Sequence, residues 1–368
     1  MQPATEERSF SAERMLELLL SAAADGPAHL RELCTGVEAW DEVFQFALLH
    51  GVESYLYRCL IDAGVNLPVG LKERTERWLV IRQVWQSHVQ LTLHDVLRIL
   101  DAARVQAVCL KGPVLGERLY PDSRTRPSAD LDVLVARADL NRATNALAAI
   151  GYRPANDSQE RFLRRYHYHT ILSRSCPPVV ELHFSLSDGF GVRIPAEEFL
   201  SRACLYRTSQ GTVANVLAPE DELLYLAIHA AGHRFVRLSW LCDIQLLLRR
   251  HPDLDWKTVT ARARHFKVFA AFLFTCEILQ RRLGVGIPHL DRGMSQRIRS
   301  RIANFLLSVT AKQPDPSRRS LVGKMAFTAV LCDRPQAALG FLQGQLLLFT
   351  RRRARRHFPS LTPEEWSY

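Results

Sequence analysis

The chain has 368 residues, of which 47% are hydrophobic and 23% are charged; these ordinary globular proportions exclude a disordered, fibrous or collagen-like protein. The length predicts two or three domains, each large enough to bury its own core. The eight cysteines are widely spaced and form no C-x-x-C pair, which excludes a zinc knuckle and a compact disulfide framework.

The formal charge of +10 comes mostly from arginine, because only six of the 48 basic residues are lysines. An arginine bias of this kind often reflects codon composition, so the charge is a poor argument for nucleic-acid binding. The densest basic cluster is Arg351–Arg356. It is suited to binding phosphates or an anionic membrane surface, and it is equally typical of a solvated helix end. No signal peptide and no membrane-spanning apolar run is found, so we predict a cytoplasmic protein without an integral membrane segment.

Residues 1–100 are predicted to be helical, because apolar residues recur at helical spacing there. From Val105 the pattern changes to short apolar strands that alternate with helices. One helix is predicted from Pro113, and another ends at Gly151. The four predicted strands are Val105–Leu110, Ala129–Val135, Tyr166–Leu172 and Val179–Ser185.

After Leu217 the pattern is helical again, and Pro219 with the two acids that follow it is typical of a helix start. Apolar segments at helical spacing recur through the rest of the chain. The predicted organisation is therefore a helical N-terminal region (1–100), an α/β core (101–216) and a helical C-terminal domain (217–368).

Two aspartates of the second predicted strand are the first candidate site residues. Asp130 and Asp132 are two positions apart, so both side chains point to one face of the strand. Two carboxylates placed in this way repel each other unless a cation lies between them, and carboxylate oxygens are the ligands that Mg²⁺ prefers. We therefore predict a divalent-metal site here, the alternative being an exposed strand end.

The predicted strand Val179–Ser185 contributes a third acid. Glu181 and His183 face away from its apolar side, and Glu181 would complete a two-metal site if this strand neighbours that of the aspartates. The alternative for Glu181 is an exposed acid or a salt bridge. His183 either orients that carboxylate, contacts the substrate or is a plain surface histidine. The apolar side of the strand consists of Val180, Leu182 and Phe184.

The turn at Lys111 and Gly112 joins a predicted strand to a predicted helix. Free backbone N–H groups and the positive helix end favour phosphate binding there, and Gly112 permits a close backbone approach. Lys111 adds a full charge, although a solvated lysine is the alternative. Arg126 is a second candidate phosphate ligand, or it pairs with Asp122 or Asp130.

A second histidine motif lies in the C-terminal region. His229 and His233 are four positions apart on one predicted helix, which invites a zinc interpretation. The motif lacks the glutamate of H-E-x-x-H, and no third ligand is evident. Packing, or a hydrogen bond to Asp243, is the favoured explanation.

The order of these motifs resembles the nucleotidyltransferase superfamily typified by DNA polymerase β. In that superfamily a Gly-Ser turn precedes a D-x-D strand, and a later strand supplies a third acid. The stretch from Leu110 to Val135, followed by Glu181-Leu-His183, is most similar to a bacterial "uncharacterised nucleotidyltransferase" branch in which Lys-Gly replaces Gly-Ser. The resemblance implies an α+β fold, with a small mixed-sheet core flanked by N-terminal and C-terminal helical regions.

The resemblance also implies an enzyme that moves a nucleoside monophosphate from an NTP, such as ATP, to an acceptor hydroxyl or phosphate and releases pyrophosphate. Its cofactor would be Mg²⁺ or Mn²⁺. The catalytic metal ligands would be Asp130, Asp132 and Glu181. The residues that meet the triphosphate would be Lys111, Gly112 and Arg126.

Pro113 departs from the usual pattern, because the serine hydroxyl is missing and proline removes a backbone donor. The alternative function is therefore a non-catalytic nucleotide-binding or partner-binding protein of the same fold. A purely nucleic-acid-binding protein ranks last, since no stacking-aromatic motif accompanies the arginines. The sequence does not identify the acceptor, which would be a small molecule, a protein or tRNA, nor the oligomeric state.

Overall fold

A seven-stranded mixed sheet lies in the middle of the chain, between helices from both ends. The structure, a computed structural model, describes residues 3–156, 160, 163–164, 167–176, 178–187, 189–290, 293–311 and 321–343. The arginine cluster Arg351–Arg356 lies outside these residues. The architecture confirms the predicted α+β class, a mixed-sheet core flanked by helical regions.

The helices of the described residues fall into three groups. Those before the sheet are α1 (Pro3–Asp25), α2 (Pro27–Cys34), α3 (Trp40–His50), α4 (Glu53–Asp62) and α5 (Val69–Ala102). Those between strands are α6 (Pro113–Leu119), α7 (Leu140–Ala148) and α8 (Glu197–Leu200). Those after the sheet are α9 (Pro219–Gly232), α10 (Leu238–Arg250), α11 (Trp256–His265), α12 (Phe269–Leu283), α13 (Met294–Ala311) and α14 (Leu321–Val330). None of the described helices is long and apolar enough to cross a membrane.

The sheet has the strand order β3-β4-β5-β2-β1-β7-β6. The pairs β2–β5 and β1–β7 are parallel, and the other neighbours are antiparallel. The strand predicted for Tyr166–Leu172 begins at His169, and Tyr166 lies outside the described residues. The strands are β1 (Ala107–Cys109), β2 (Asp130–Val135), β3 (Arg153–Pro154), β4 (His169–Ser173), β5 (Val179–His183), β6 (Cys204–Arg207) and β7 (Val213–Val216).

Alternation along β2 divides the sheet between two hydrophobic cores. Leu131, Val133 and Val135 are buried in a core that they share with α5 and α7. Leu134, on the opposite side of the strand, belongs to a second core that includes α9 and α10. The D-x-D carboxylates therefore project toward the side that the C-terminal helices cover.

The helices at the two ends of the chain share that second core. Leu16 and Leu20 of α1 and Phe272 of α12 are fully buried members of it. Arg282 of α12 also forms an ion pair with Glu13 of α1, with its Nη2 2.9 Å from the Glu13 Oε1. Helices α1 and α12 therefore pack together on one side of the sheet, while the boundaries placed near residues 100 and 217 stay predictions.

Candidate active site

The pairing of three strands brings five polar residues to one face of the sheet. Parallel pairing of β2 with β5 puts Asp132 beside Glu181, and antiparallel pairing of β4 with β5 puts His169 beside His183. Residues in register share a face, as do residues two positions apart on one strand, so Asp130 joins this group. The strands β2 and β5 are thus immediate neighbours. This was the condition under which Glu181 would be the third carboxylate of the predicted metal site.

Asp132 is the most enclosed of the three acids, with a side chain that is 1% exposed. Its Oδ1 lies 3.2 Å from the Lys111 Nζ and 3.0 Å from the His183 Nε2. Its Oδ2 is buried and has no hydrogen-bond partner among the described residues. A buried carboxylate oxygen without a donor is costly, and a cation would remove that cost.

The three carboxyl groups differ in acidity because their neighbours differ. Burial by itself would raise the pKa of Asp132, but the charge of Lys111 and the contact with His183 outweigh it and hold that pKa well below its usual range. Burial, and then the charge of Asp132, raise the pKa of Asp130. Burial opposes ionisation of Glu181 as well, yet His183 outweighs it and lowers the pKa.

His169 is a site residue that the sequence analysis did not single out. Its ring centroid lies 5.0 Å from that of His183, and its Nε2 lies 3.7 Å from the Glu181 Oε2. Burial, and then the charge of His183, lower the pKa of His169 to about 4. Alternation in the predicted strand was a usable signal for this residue, but its meaning depended on the register between β4 and β5.

The turn before α6 has the geometry that a glycine requires. Gly112 has φ +77° and ψ −151°, a backbone region that is open essentially only to glycine. A Cβ atom at this position would lie 3.7 Å from the Asp130 backbone oxygen, so the turn passes close to β2. Lys111 therefore reaches Asp132 directly, as the 3.2 Å contact shows.

Arg126 forms an ion pair with Asp243 of α10. The sequence had indicated Asp122 or Asp130 as its partner instead. The guanidinium is buried, and its Nε and Nη2 each donate a hydrogen bond of 2.8 Å to the Asp243 carboxylate. Its Nη1 also donates to the Gly112 backbone oxygen at 3.3 Å. Burial opposes the charge, but Asp243 outweighs it and raises the pKa of Arg126. Contact of Arg126 with a triphosphate stays a prediction.

The acids and histidines of the sheet, together with Lys111, Gly112 and Arg126, line a cavity of about 850 Å³. The remaining walls come mainly from α5, α9 and α10, and they are rich in aromatic and basic side chains. His229 and His233 pack against each other and against Trp240, with ring centroids 4.6–5.2 Å apart. Other lining residues include Trp78, Trp85, Tyr168 and Arg237.

The comparisons with known proteins bear on this site. A family model described as "Uncharacterised nucleotidyltransferase" matches residues 37–284, more than half of the chain. The chain belongs to this family. No curated protein matches the sequence significantly.

One solved structure that is similar to this nucleotidyltransferase is the solution structure of the antibiotic-resistance factor ANT(2'')-Ia. It is 13% identical, its match covers 48% of this chain and 92% of its own, and the TM-score is 0.37. The family match, in contrast, contains every residue of the candidate site from Lys111 to Asp243. It confirms the family resemblance recognised in the sequence.

Proposed function

We propose that this nucleotidyltransferase moves a nucleoside monophosphate from an NTP to an acceptor hydroxyl or phosphate and releases pyrophosphate, with Mg²⁺ or Mn²⁺ as its cofactor. The observation that carries the proposal is the common strand face of Asp130, Asp132 and Glu181, beside Lys111 and within a cavity of substrate size. Transfer of phosphoryl-type groups depends on positioning and on charge stabilisation, and this cluster offers both.

The donor set fits a hard divalent cation. The buried Asp132 Oδ2 has no hydrogen-bond partner among the described residues, and burial together with the charge of Asp132 raises the pKa of Asp130. Asp130, Asp132 and Glu181 would hold the metal, since carboxylate oxygens are the ligands that Mg²⁺ prefers. When bound, divalent ions would lower the pKa of the attacking hydroxyl and stabilise the leaving pyrophosphate.

The protein's own groups divide the remaining tasks. Lys111 would move from Asp132 to the triphosphate, where its charge offsets that of the phosphates. Asp130 is the less buried of the two aspartates, so it is the one that would accept the proton of the acceptor hydroxyl. Arg126, which is already bound to Asp243 and to the Gly112 oxygen, would act chiefly by holding the Lys111–Gly112 turn in place.

The test is pyrophosphate release from each of the four NTPs with Mg²⁺, in the presence of small-molecule, tRNA and protein acceptor pools. The matched control is Asp130→Asn, which keeps the shape of the side chain and should abolish release. If the wild type releases pyrophosphate and Asp130→Asn still does so, the assigned roles are contradicted.

The second candidate is a nucleotide-binding protein of the same fold without turnover. Pro113 at the start of α6 and the ion pair between Lys111 and Asp132 favour it, because the first removes a backbone donor and the second occupies the lysine. Tight Mg²⁺–NTP binding without pyrophosphate release in any pool would support this candidate over the first.

A further inference from the structure

Two histidines and a glutamate converge at one edge of the cavity. His169 on β4 and His183 on β5 are directly opposite each other, and Glu181 is on the same face of β5. The Glu181 Oε2 lies 3.7 Å from the His169 Nε2 and 3.6 Å from the His183 Nε2. One donor atom from each of the three residues lies within 4.8 Å of the other two.

These separations fit metal ligation better than direct hydrogen bonding. A hydrogen bond between nitrogen and oxygen spans about 2.7–3.2 Å, which is shorter than either contact to Glu181. Ligands at about 2.0–2.1 Å from a tetrahedral ion lie about 3.4 Å from one another, so only small side-chain movements would close the set. His183 Nε2 is itself within hydrogen-bond distance of the Asp132 Oδ1, at 3.0 Å, so an ion on this nitrogen would replace that hydrogen bond and would have Asp132 as its nearest fourth ligand.

The chemistry of the donors separates this cluster from a site for Mg²⁺ alone. Mg²⁺ takes oxygen ligands and keeps several of its waters. Two imidazoles with one carboxylate suit Zn²⁺ and similar ions, and catalytic zinc sites use this set with one further position left for water or substrate. The cluster is also rigid, because paired strands of the sheet hold all three residues.

We infer that His169, Glu181 and His183 bind a transition-metal ion of the Zn²⁺ class at the β5 side of the cavity, next to the Asp130–Asp132 pair. The inference rests on the proposed function in placing this ion in the catalytic pocket. Glu181 would then be shared between this ion and the metal that the aspartates hold, so one position of the predicted two-metal site would take a softer ion than Mg²⁺.

The test uses Co²⁺ as a spectroscopic probe on the full-length, chelator-treated protein without nucleotide. We expect visible absorption bands of ligand-bound Co²⁺ in the wild type, and loss of these bands when Zn²⁺ is added. In His169→Asn, Co²⁺ affinity should fall more than about a hundredfold, because even loss of a group that only supports a ligand costs about 10- to 100-fold. His94→Ala is the matched control, since His94 of α5 lies outside the cavity and contacts Thr212.

Equal Co²⁺ affinity in the wild type and in a folded His169→Asn would overturn the inference. If that variant does not fold, His169→Gln replaces it, with a circular-dichroism melt to verify folding. Because nucleotide is absent, the result is independent of the proposed function. Pyrophosphate release with an unaltered Co²⁺ affinity in the variant would refute only the metal site, whereas His169-dependent Co²⁺ binding without release from any NTP would refute only the transfer activity.

Discussion

The Asp132 carboxylate contacts Lys111 and His183. Asp130 differs, because burial and the charge of Asp132 raise its pKa. The two-residue spacing of these aspartates by itself predicts that the loss of either carboxylate relieves repulsion. The metal-free variant would then be at least as stable as the wild type. The contacts change that expectation for Asp132, because its neutralisation leaves a half-buried lysine and a buried histidine without the negative charge that they contact.

We expect Asp132→Asn to lower the free energy of unfolding by about 1–3 kcal/mol, because the amide oxygen can still accept from Lys111 and His183 but no longer carries the negative charge that strengthens both contacts. Asp130→Asn should be neutral or stabilising, because it removes the carboxylate that burial and Asp132 disfavour. Urea unfolding without divalent ions measures both variants. An Asp132→Asn protein as stable as the wild type would show that the Lys111 and His183 contacts contribute nothing.

Lys111 contacts the Asp132 carboxylate at 3.2 Å, and its side chain is 13% exposed. If it meets the triphosphate, Lys111→Ala should weaken Mg²⁺–NTP binding by about ten- to a hundredfold, because a charge-assisted contact is worth about 1.5–3 kcal/mol. Isothermal titration calorimetry measures the affinity, and Lys72→Ala is the control, since Lys72 is exposed on α5. Unchanged affinity would make Lys111 a structural partner of Asp132 alone.

At the scale of elements, regular alternation made β2 and β5 predictable, together with the face on which their acids lie. The hairpin of β6 and β7 was missed because Cys204–Arg207 is short and largely exposed, so it has no apolar periodicity to detect. The Arg126–Asp243 pair was missed for another reason. Its partners are 117 positions apart and meet only because α10 packs near the loop that precedes β2.

That pair connects the loop before β2 with α10, and Arg126→Met tests its contribution. Loss of one partner leaves the Asp243 charge buried, so we expect the free energy of unfolding to fall by about 3–5 kcal/mol. The double variant Arg126→Met/Asp243→Asn should lose less than the sum of the two single variants. Chemical denaturation measures the cycle, with Arg124→Ala as an exposed control, and strict additivity would argue against direct coupling.

At the scale of the whole molecule, helices from both ends of the chain cover the same side of the sheet. Buried leucines of α1 pack in one core with α12, and the Glu13–Arg282 ion pair connects the same two helices. This core also contains Leu134 of the D-x-D strand. Stability of the active-site face should therefore depend on residues near the start of the chain.

Leu20→Ala tests this dependence, because Leu20 is fully buried in that core. We expect a loss of about 2–5 kcal/mol, from the lost burial and the cavity that remains. Leu49→Ala should change stability by less than about 0.5 kcal/mol, since Leu49 is 70% exposed. Thermal melts of both variants measure the difference. A separate early transition in Leu20→Ala, with the main transition unmoved, would show that α1 unfolds independently of the sheet.

The parallel pairing of β2 with β5 has a consequence for how related chains are recognised. Hydrogen bonds between strands place Asp132 beside Glu181, although 49 positions separate them in the sequence. Surface residues inserted near the turn at Gly151 would leave that placement unchanged, because the entropy of closing a loop grows only slowly with its length. A search pattern for this site should therefore consist of two short blocks, D-x-D and E-x-H, separated by a gap of free length.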